Sequence, residues 1–134
     1  MIGVDTNVIV RLLVGDDDRQ ASAAARYLKS NSSSDDPALL SDIVLVETAW
    51  VLEDVYEYSR TQIVAAMEGL LATAQLRAAN ATAVSIALQR FKATAADFAD
   101  CLLGVGNTAA GCEYTATFDR KASRLAEFKL IPVS

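Results

Sequence analysis

Residues 1–13, MIGVDTNVIVRLL, decide the fold because they predict a strand, a tight turn and a helix in immediate succession. Residues 2–4 are apolar and predict a short buried strand, and the apolar positions within 8–13 recur at the spacing of an amphipathic helix. Asp5 lies between them, at the carboxyl end of the predicted strand, where open parallel α/β sheets present their ligand crevice. Asp5 is therefore a candidate site residue, although Asp5 or Thr6 could equally serve to cap the helix.

The length and composition predict one domain over residues 1–134. With 134 residues, 52% of them hydrophobic, the chain is long enough for one compact core and too short for two ordinary domains. No apolar run reaches the roughly 18 residues that a membrane span requires, and the first residues lack the pattern of a signal peptide. We therefore expect a soluble cytoplasmic protein.

The chain contains no histidine, which excludes histidine-based acid–base catalysis and the usual zinc sites. Its 17 aspartates and glutamates are the abundant reactive groups. Cys101 and Cys112 are too few for a disulfide framework, and we expect both to be reduced and buried. Any chemistry should therefore be carboxylate chemistry.

Glu47 lies within a predicted helix over residues 43–54, and its helical neighbours are all apolar. An ionised carboxylate in apolar surroundings is strongly disfavoured unless it has a partner. The sequence leaves three solutions open, namely an ion pair with an arginine, a raised pKa or a metal ion.

Short strands alternate with helices along the rest of the chain. This alternation favours a doubly wound, mainly parallel α/β sheet. The strand candidates after the first are residues 38–40, 75–79, 114–117 and 130–133, and Pro132 suits the last of these to a sheet edge.

A second group of acids lies in the C-terminal part of the chain. Asp97 and Asp100 are three residues apart and point the same way on one predicted helix. Thr94 and Asp97 match a capping box, which gives Asp97 a structural alternative that Asp100 lacks. Asp119 follows the strand at 114–117 and precedes a predicted basic helix, so a parallel sheet would bring it to the same edge as Asp5.

The segments around these acids are GVDTNV, VETAWVL, ADFADCL and TFDRKA. In this order they resemble the PIN-domain nucleases, particularly the VapC-type ribonuclease toxins of bacterial type II toxin–antitoxin pairs, and the resemblance covers essentially the whole chain. Phe118 stands where the family often has arginine. That departure leaves open whether Asp119 binds metal directly or through water.

The resemblance implies that Asp5, Glu47 and Asp100 hold Mg²⁺ or Mn²⁺, that Asp119 completes the site, and that Asp97 assists or caps. It implies that Thr6 and Asn7 hold Asp5 in position without binding the metal themselves. It also implies a PIN-like three-layer α/β/α fold with a mainly parallel five-stranded sheet, a homodimer, an RNA substrate and a small cognate antitoxin protein.

Elementary chemistry is compatible with this function. Hard divalent cations prefer oxygen ligands, and phosphodiester hydrolysis needs charge neutralisation and an activated water. The net charge of −5 argues against a nucleic-acid binder. This charge is the difference between 12 basic and 17 acidic residues, and without the five candidate site acids the two counts are equal, at 12 each. The candidate phosphate contacts are Arg11, Arg120, Lys121 and Arg124, which could equally be ordinary surface charges.

Two other classes of function remain open at this stage. The first is a metal-dependent aspartyl phosphotransfer or phosphatase-like domain. Against it, Asn7 stands where a phosphatase needs a second aspartate, and Glu47 is on a helix where a receiver domain has a strand-terminal aspartate. The second is a non-catalytic PIN-like module that binds RNA or a protein. The patch around Trp50, Val51, Val55, Tyr56 and Tyr58 is either covered by a dimer mate or an antitoxin helix or buried in the monomer's own core.

Overall fold

The computed structural model describes residues Met1–Ser134 and divides them into two compact units, Met1–Ala81 and Thr82–Ser134. It contains six α-helices and four short strands, and every strand pairing is parallel. The predicted α/β class with parallel strands is thus confirmed. The five-stranded sheet is not observed, because the strands form two separate two-stranded pairs.

The first unit contains four helices and two strands. They are α1 (Thr6–Val14), α2 (Asp18–Asn31), β1 (Ala38–Leu40), α3 (Asp42–Asp54), α4 (Arg60–Ala72) and β2 (Leu76–Ala78). β1 pairs with β2 in parallel, from Ala38 opposite Leu76 to Leu40 opposite Ala78.

The predicted first strand is reduced to one parallel bridge between Gly3 and Leu39. The backbone N–H of Leu39 donates to Ile2 at 2.8 Å, and that of Val4 donates to Leu39 at 3.4 Å. Asp5 then already caps α1, so the extended segment ends before a longer ladder can form.

The apolar faces of the helices make the core of the first unit. Ile9, Leu40, Leu45, Leu52 and Met67 are completely buried. The spacing of Ser59 and Gln62 in the sequence predicts a capping box at the start of α4, and the structure confirms it, since Ser59 accepts from the Gln62 backbone and Gln62 accepts from the Ser59 backbone.

The second unit contains α5 (Ala81–Ala93, apart from its first residue), α6 (Phe98–Ala109), β3 (Thr115–Thr117) and β4 (Phe128–Leu130). β3 pairs with β4 in parallel, with Thr115 opposite Phe128. The last strand begins two residues earlier than predicted and ends before Pro132. The predicted basic helix after Asp119 is only a 3₁₀ turn over Ala122–Arg124.

Aromatic packing organises the core of the second unit. The rings of Phe91 and Phe98 meet edge to face, with centroids 6.1 Å apart. Gly104 lies so close to the Phe128 ring that an added Cβ would be 2.4 Å from it. Cys101 is buried as expected, whereas Cys112 is exposed, and the two do not form a disulfide. None of the helices has the length and apolar character that crossing a membrane requires.

Candidate active site

Asp5 caps α1, with its Oδ1 accepting a 3.2 Å hydrogen bond from the backbone N–H of Val8. The capping interpretation is therefore correct. It leaves the residue exposed and Oδ2 without a hydrogen-bond partner, so capping and ligand binding are compatible at this position.

Thr6 connects the start of α1 to α3. Its Oγ1 donates a 2.8 Å hydrogen bond to Oε1 of Glu47. The expected support of Asp5 by Thr6 and Asn7 stays a prediction, and the contact that Thr6 makes in the structure is with Glu47. Sequence reasoning could not have found this contact, because it joins residues 41 positions apart.

Glu47 lies on the exposed face of α3, and not in the apolar surroundings that the sequence predicted. Its neighbours Ile43 and Trp50 are 71% and 60% exposed. No arginine or lysine forms an ion pair with Glu47. The prediction failed because α3 is apolar on both faces, so apolar neighbours did not identify the buried side. Glu47 is accordingly a solvated carboxylate with one oxygen held by Thr6.

Asp97 is the N-cap of α6, with its Oδ1 accepting a 2.8 Å hydrogen bond from the backbone N–H of Asp100. The predicted capping box with Thr94 was wrong, since Thr94 Oγ1 donates to the Arg90 carbonyl at 2.7 Å. Thr94 and Asp97 are both residue types that cap helices well, so the sequence did not decide between them. The helix begins directly after Asp97. Asp100 is therefore in the first turn of α6, where backbone N–H groups favour a negative charge.

The carboxyl group of Asp100 lies in surroundings that disfavour its negative charge. Burial, followed by the charges of Asp97 and Asp119 and a hydrogen bond with Asp97, raises its pKa to about 6. None of these three acids has an ion-pair partner that would offset the repulsion on Asp100. We call Asp97, Asp100 and Asp119 the C-terminal acidic cluster.

Asp119 is fixed in the turn after β3. Its Oδ1 accepts hydrogen bonds from the backbone N–H groups of Lys121 at 2.8 Å and Ala122 at 3.2 Å. Its own N–H donates to Thr117 Oγ1 at 2.9 Å. Its Oδ2 makes no hydrogen bond. The turn therefore holds the carboxylate in place through Oδ1 and leaves Oδ2 available to a ligand.

The candidate phosphate-binding cations differ in their surroundings. Arg11 is already engaged, with Nη1 3.0 Å from Asp16 Oδ1 and Nε 2.6 Å from Gln20 Oε1. Tyr56 completes this network by donating to Asp16 at 2.9 Å. Arg120, Lys121 and Arg124 have no ion-pair partner. The network gives Arg11 a structural role that the sequence did not predict. The one feature of the sequence that pointed to this role is the opposite charge of Asp16, five residues after Arg11.

The donor set suits a hard divalent cation. No group of three or more histidine, cysteine, aspartate or glutamate side chains has the arrangement of a formed metal site. The available donors are nonetheless carboxylate oxygens alone, and Asp100 has a raised pKa because it is buried near two other acids. A divalent cation would relieve that repulsion, and oxygen ligands are those that Mg²⁺ and Mn²⁺ prefer.

Comparison with known proteins gives one informative result. The PIN domain family matches residues 2–128, which is nearly the whole chain and includes all five acids. No curated protein matches the sequence.

Proposed function

The chain belongs to the PIN domain family, whose members are generally nucleases, and on that premise we propose that it is a Mg²⁺- or Mn²⁺-dependent endoribonuclease. The observation that carries this proposal is the C-terminal acidic cluster. Burial, together with the charges of Asp97 and Asp119, raises the pKa of Asp100 to about 6, and no basic side chain forms an ion pair with any of the three acids. In a nuclease family, such an arrangement favours a cation as the missing partner.

We assign the metal ligands and catalytic residues as Asp5, Glu47, Asp100 and Asp119, with Asp97 as the cap of α6 and an additional candidate ligand. Asp5 and Asp119 each offer one carboxylate oxygen that has no hydrogen-bond partner. When bound, the metal supplies charge neutralisation for the phosphodiester and activation of the attacking water.

The chain's own residues have distinct roles in this proposal. Thr6 orients Glu47 by fixing Oε1, and the turn after β3 orients Asp119 by fixing Oδ1. Arg120, Lys121 and Arg124 are available to contact RNA phosphates, because none of them is engaged in an ion pair. Arg11 is reassigned from RNA contact to the support of α1 and α2.

The family match over residues 2–128 supports treating the chain as a single PIN domain. A five-stranded sheet of the kind expected in the family stays a prediction. Cytoplasmic localisation belongs to the same proposal, since RNA is the substrate.

We further propose that the protein is a VapC-type toxin that forms a homodimer and is inhibited by a small antitoxin. The surface of α3 supports a protein partner, because Ile43, Trp50 and Val55 are all exposed. Val51, Tyr56 and Tyr58 of the predicted patch are half-buried. Sedimentation as a strict monomer, together with no binding to the product of the neighbouring gene, would remove this part of the proposal.

Membership of the PIN family weighs against the phosphotransfer alternative. Labelling with acetyl phosphate tests it directly, since a phosphotransfer domain would become phosphorylated on Asp5. We expect no such labelling.

The experiment that tests the proposed activity is incubation of the purified protein with total RNA in Mg²⁺ and in EDTA. Cleavage in Mg²⁺ alone is expected, and its loss in Asp100→Asn would assign it to this protein and not to a contaminant. No cleavage under either condition would favour a non-catalytic RNA- or protein-binding module.

A further inference from the structure

Phe118 is an aromatic residue that the fold leaves on the surface. Its side chain is 68% exposed, although phenylalanine is usually buried. It lies between Thr117, the last residue of β3, and Asp119 of the C-terminal acidic cluster. The proposed activity, as assigned above, gives this ring no role.

The backbone on both sides of Phe118 is fixed by hydrogen bonds. Thr117 Oγ1 accepts from the N–H of Asp119 at 2.9 Å, and Asp119 Oδ1 accepts from the N–H of Lys121 at 2.8 Å. The carbonyl of Asp119 also accepts from the N–H of Ser123 at 3.0 Å. The turn thus fixes the backbone that carries the ring, directly before a proposed metal ligand.

Phe118 is followed by the proposed metal ligand Asp119 and then by two positive charges. Arg120 and Lys121 are exposed and have no ion-pair partner. An exposed aromatic ring beside free cations is the combination that binds single-stranded nucleic acid, because bases stack on the ring while cations contact the phosphates.

We propose that Phe118 is a stacking platform for one unpaired base of the RNA substrate, with Arg120 and Lys121 contacting the flanking phosphates. This inference rests on the proposed ribonuclease function and extends it by assigning a substrate-positioning residue. It also commits the substrate to a single-stranded segment, because a base within a duplex does not present its face to a side chain.

Trp50 is another exposed aromatic residue, on the same helix as the proposed ligand Glu47, and its surroundings disfavour RNA. Residues 42–57 contain five acids and no lysine or arginine. Apart from the proposed metal ligand Glu47, four of these acids would repel phosphates, whereas the proposed metal ligand after Phe118 is followed by the cations Arg120 and Lys121. The charge pattern therefore selects Phe118.

The first test measures RNA binding and cleavage in matched variants. In the cleavage-deficient Asp100→Asn background, Phe118→Ala should weaken binding of a fluorescent single-stranded oligoribonucleotide by at least about fivefold. Phe118→Tyr should bind within about twofold of the parent, and Phe118→Leu should resemble Phe118→Ala, because stacking needs an aromatic face. Tyr27→Ala is the control, since Tyr27 is 62% exposed but lies on α2.

Kinetics in the otherwise native protein separate positioning from folding. Loss of a contact made equally in the ground state and the transition state raises KM and leaves kcat unchanged. Phe118→Ala should therefore raise KM, and Phe118→Tyr should restore it.

Tryptophan fluorescence can detect the stacking of a base directly. The chain contains one tryptophan, so Trp50→Phe combined with Phe118→Trp places a single fluorophore at the proposed platform. Its fluorescence should be quenched by the oligoribonucleotide and should respond less to one that carries abasic positions with the same phosphates.

The outcomes distinguish this inference from the function on which it rests. If the wild type cleaves RNA while Phe118→Ala keeps its KM, affinity and cut-site distribution, the stacking platform is refuted and the nuclease stands. If Phe118→Ala changes only the sedimentation of the protein, the ring contacts a protein and the inference fails. If the wild type neither binds nor cleaves RNA, both proposals fail.

Discussion

Thr6 Oγ1 donates a 2.8 Å hydrogen bond to Oε1 of Glu47, linking the first turn of α1 to the middle of α3. This contact holds Oε1 of Glu47 in place and leaves Oε2 without a hydrogen-bond partner. Since Thr6 follows Asp5 directly in the chain, the same short segment positions two of the proposed metal ligands.

Replacing Thr6 should therefore affect activity more than stability. Thr6→Val removes the donor and should lower the cleavage rate about 10-fold or more, as loss of a partner that orients a metal ligand commonly does. Thr6→Ser keeps the hydroxyl and is the matched control. Because the bond is exposed, the free energy of unfolding should change by less than about 1 kcal/mol in both variants. Equal activity in Thr6→Val and Thr6→Ser would show that the bond does not position Glu47.

Asp97 should behave as a helix cap. Asp97→Ala removes the acceptor for the Asp100 N–H and should lower the free energy of unfolding by about 1 kcal/mol. Asp97→Asn can still accept this bond and should stay close to wild-type stability with part of the activity. If Asp97→Asn abolishes cleavage as fully as Asp100→Asn, Asp97 is a metal ligand in addition to a cap.

Asp100 predicts a pH dependence of stability in EDTA. Burial and the charges of Asp97 and Asp119 raise its pKa from 3.8 to about 6, so ionisation is less favourable in the folded protein than in the unfolded chain. This group thus costs no stability below about pH 4 and lowers the free energy of unfolding as the pH rises toward 6. Since the group is partly solvated, screening reduces the effect to about 1 kcal/mol.

Denaturation of wild type and Asp100→Asn at pH 4 and pH 7 measures this effect as a difference between the two proteins. In EDTA at pH 7 the variant should be as stable as wild type or more so, and at pH 4 that advantage should shrink. Excess Mg²⁺ should raise the melting temperature of the wild type more than that of Asp100→Asn, through binding linkage. Asp35→Asn, at an exposed acid outside the site, should keep the full Mg²⁺ shift. A variant that melts several degrees lower in EDTA and keeps that shift would refute the assignment of Asp100.

Two glycines of α6 provide a matched test of packing in the second unit. An alanine Cβ at Gly104 would lie 2.4 Å from the Phe128 ring and 3.1 Å from Glu127 Cβ, so Gly104→Ala should destabilise the protein by about 1–3 kcal/mol. No atom lies within 4 Å of a Cβ built at Gly106, so Gly106→Ala should be neutral or stabilising by up to about 1 kcal/mol. Equal effects on the melting temperature would contradict the close approach of α6 and β4.

Local signals in the sequence predicted most of the elements. Ser59 and Gln62 predicted the start of α4, and the apolar segment 38–40 matched β1 to the residue. These features depend on a few neighbouring residues, so the sequence contains the whole interaction. The capping of α1 by Asp5 is of the same kind.

Features that depend on tertiary contacts were not predictable. Glu47 was expected in apolar surroundings, but α3 is apolar on both faces and only its packing decides which face is buried. The hydrogen bond between Thr6 and Glu47 is of this kind because the two residues are 41 positions apart, and so is the contact by which Tyr56 joins Asp16, the ion-pair partner of Arg11, from 40 positions away. The extent of strand pairing also depends on long-range contacts, and the predicted five-stranded sheet was not observed.

The proposed metal ligands hold a divalent cation that supports hydrolysis of RNA. The chemical groups at the cut ends of the RNA test this mechanism most directly. Without a histidine to activate a 2′-hydroxyl, cleavage should use water and leave a 3′-hydroxyl and a 5′-phosphate. We therefore expect RNA cut by the wild type in Mg²⁺ to carry these ends, and RNA incubated with Asp100→Asn or in EDTA to stay intact. Ends carrying a 2′,3′-cyclic phosphate, or undiminished cleavage in EDTA, would contradict the account.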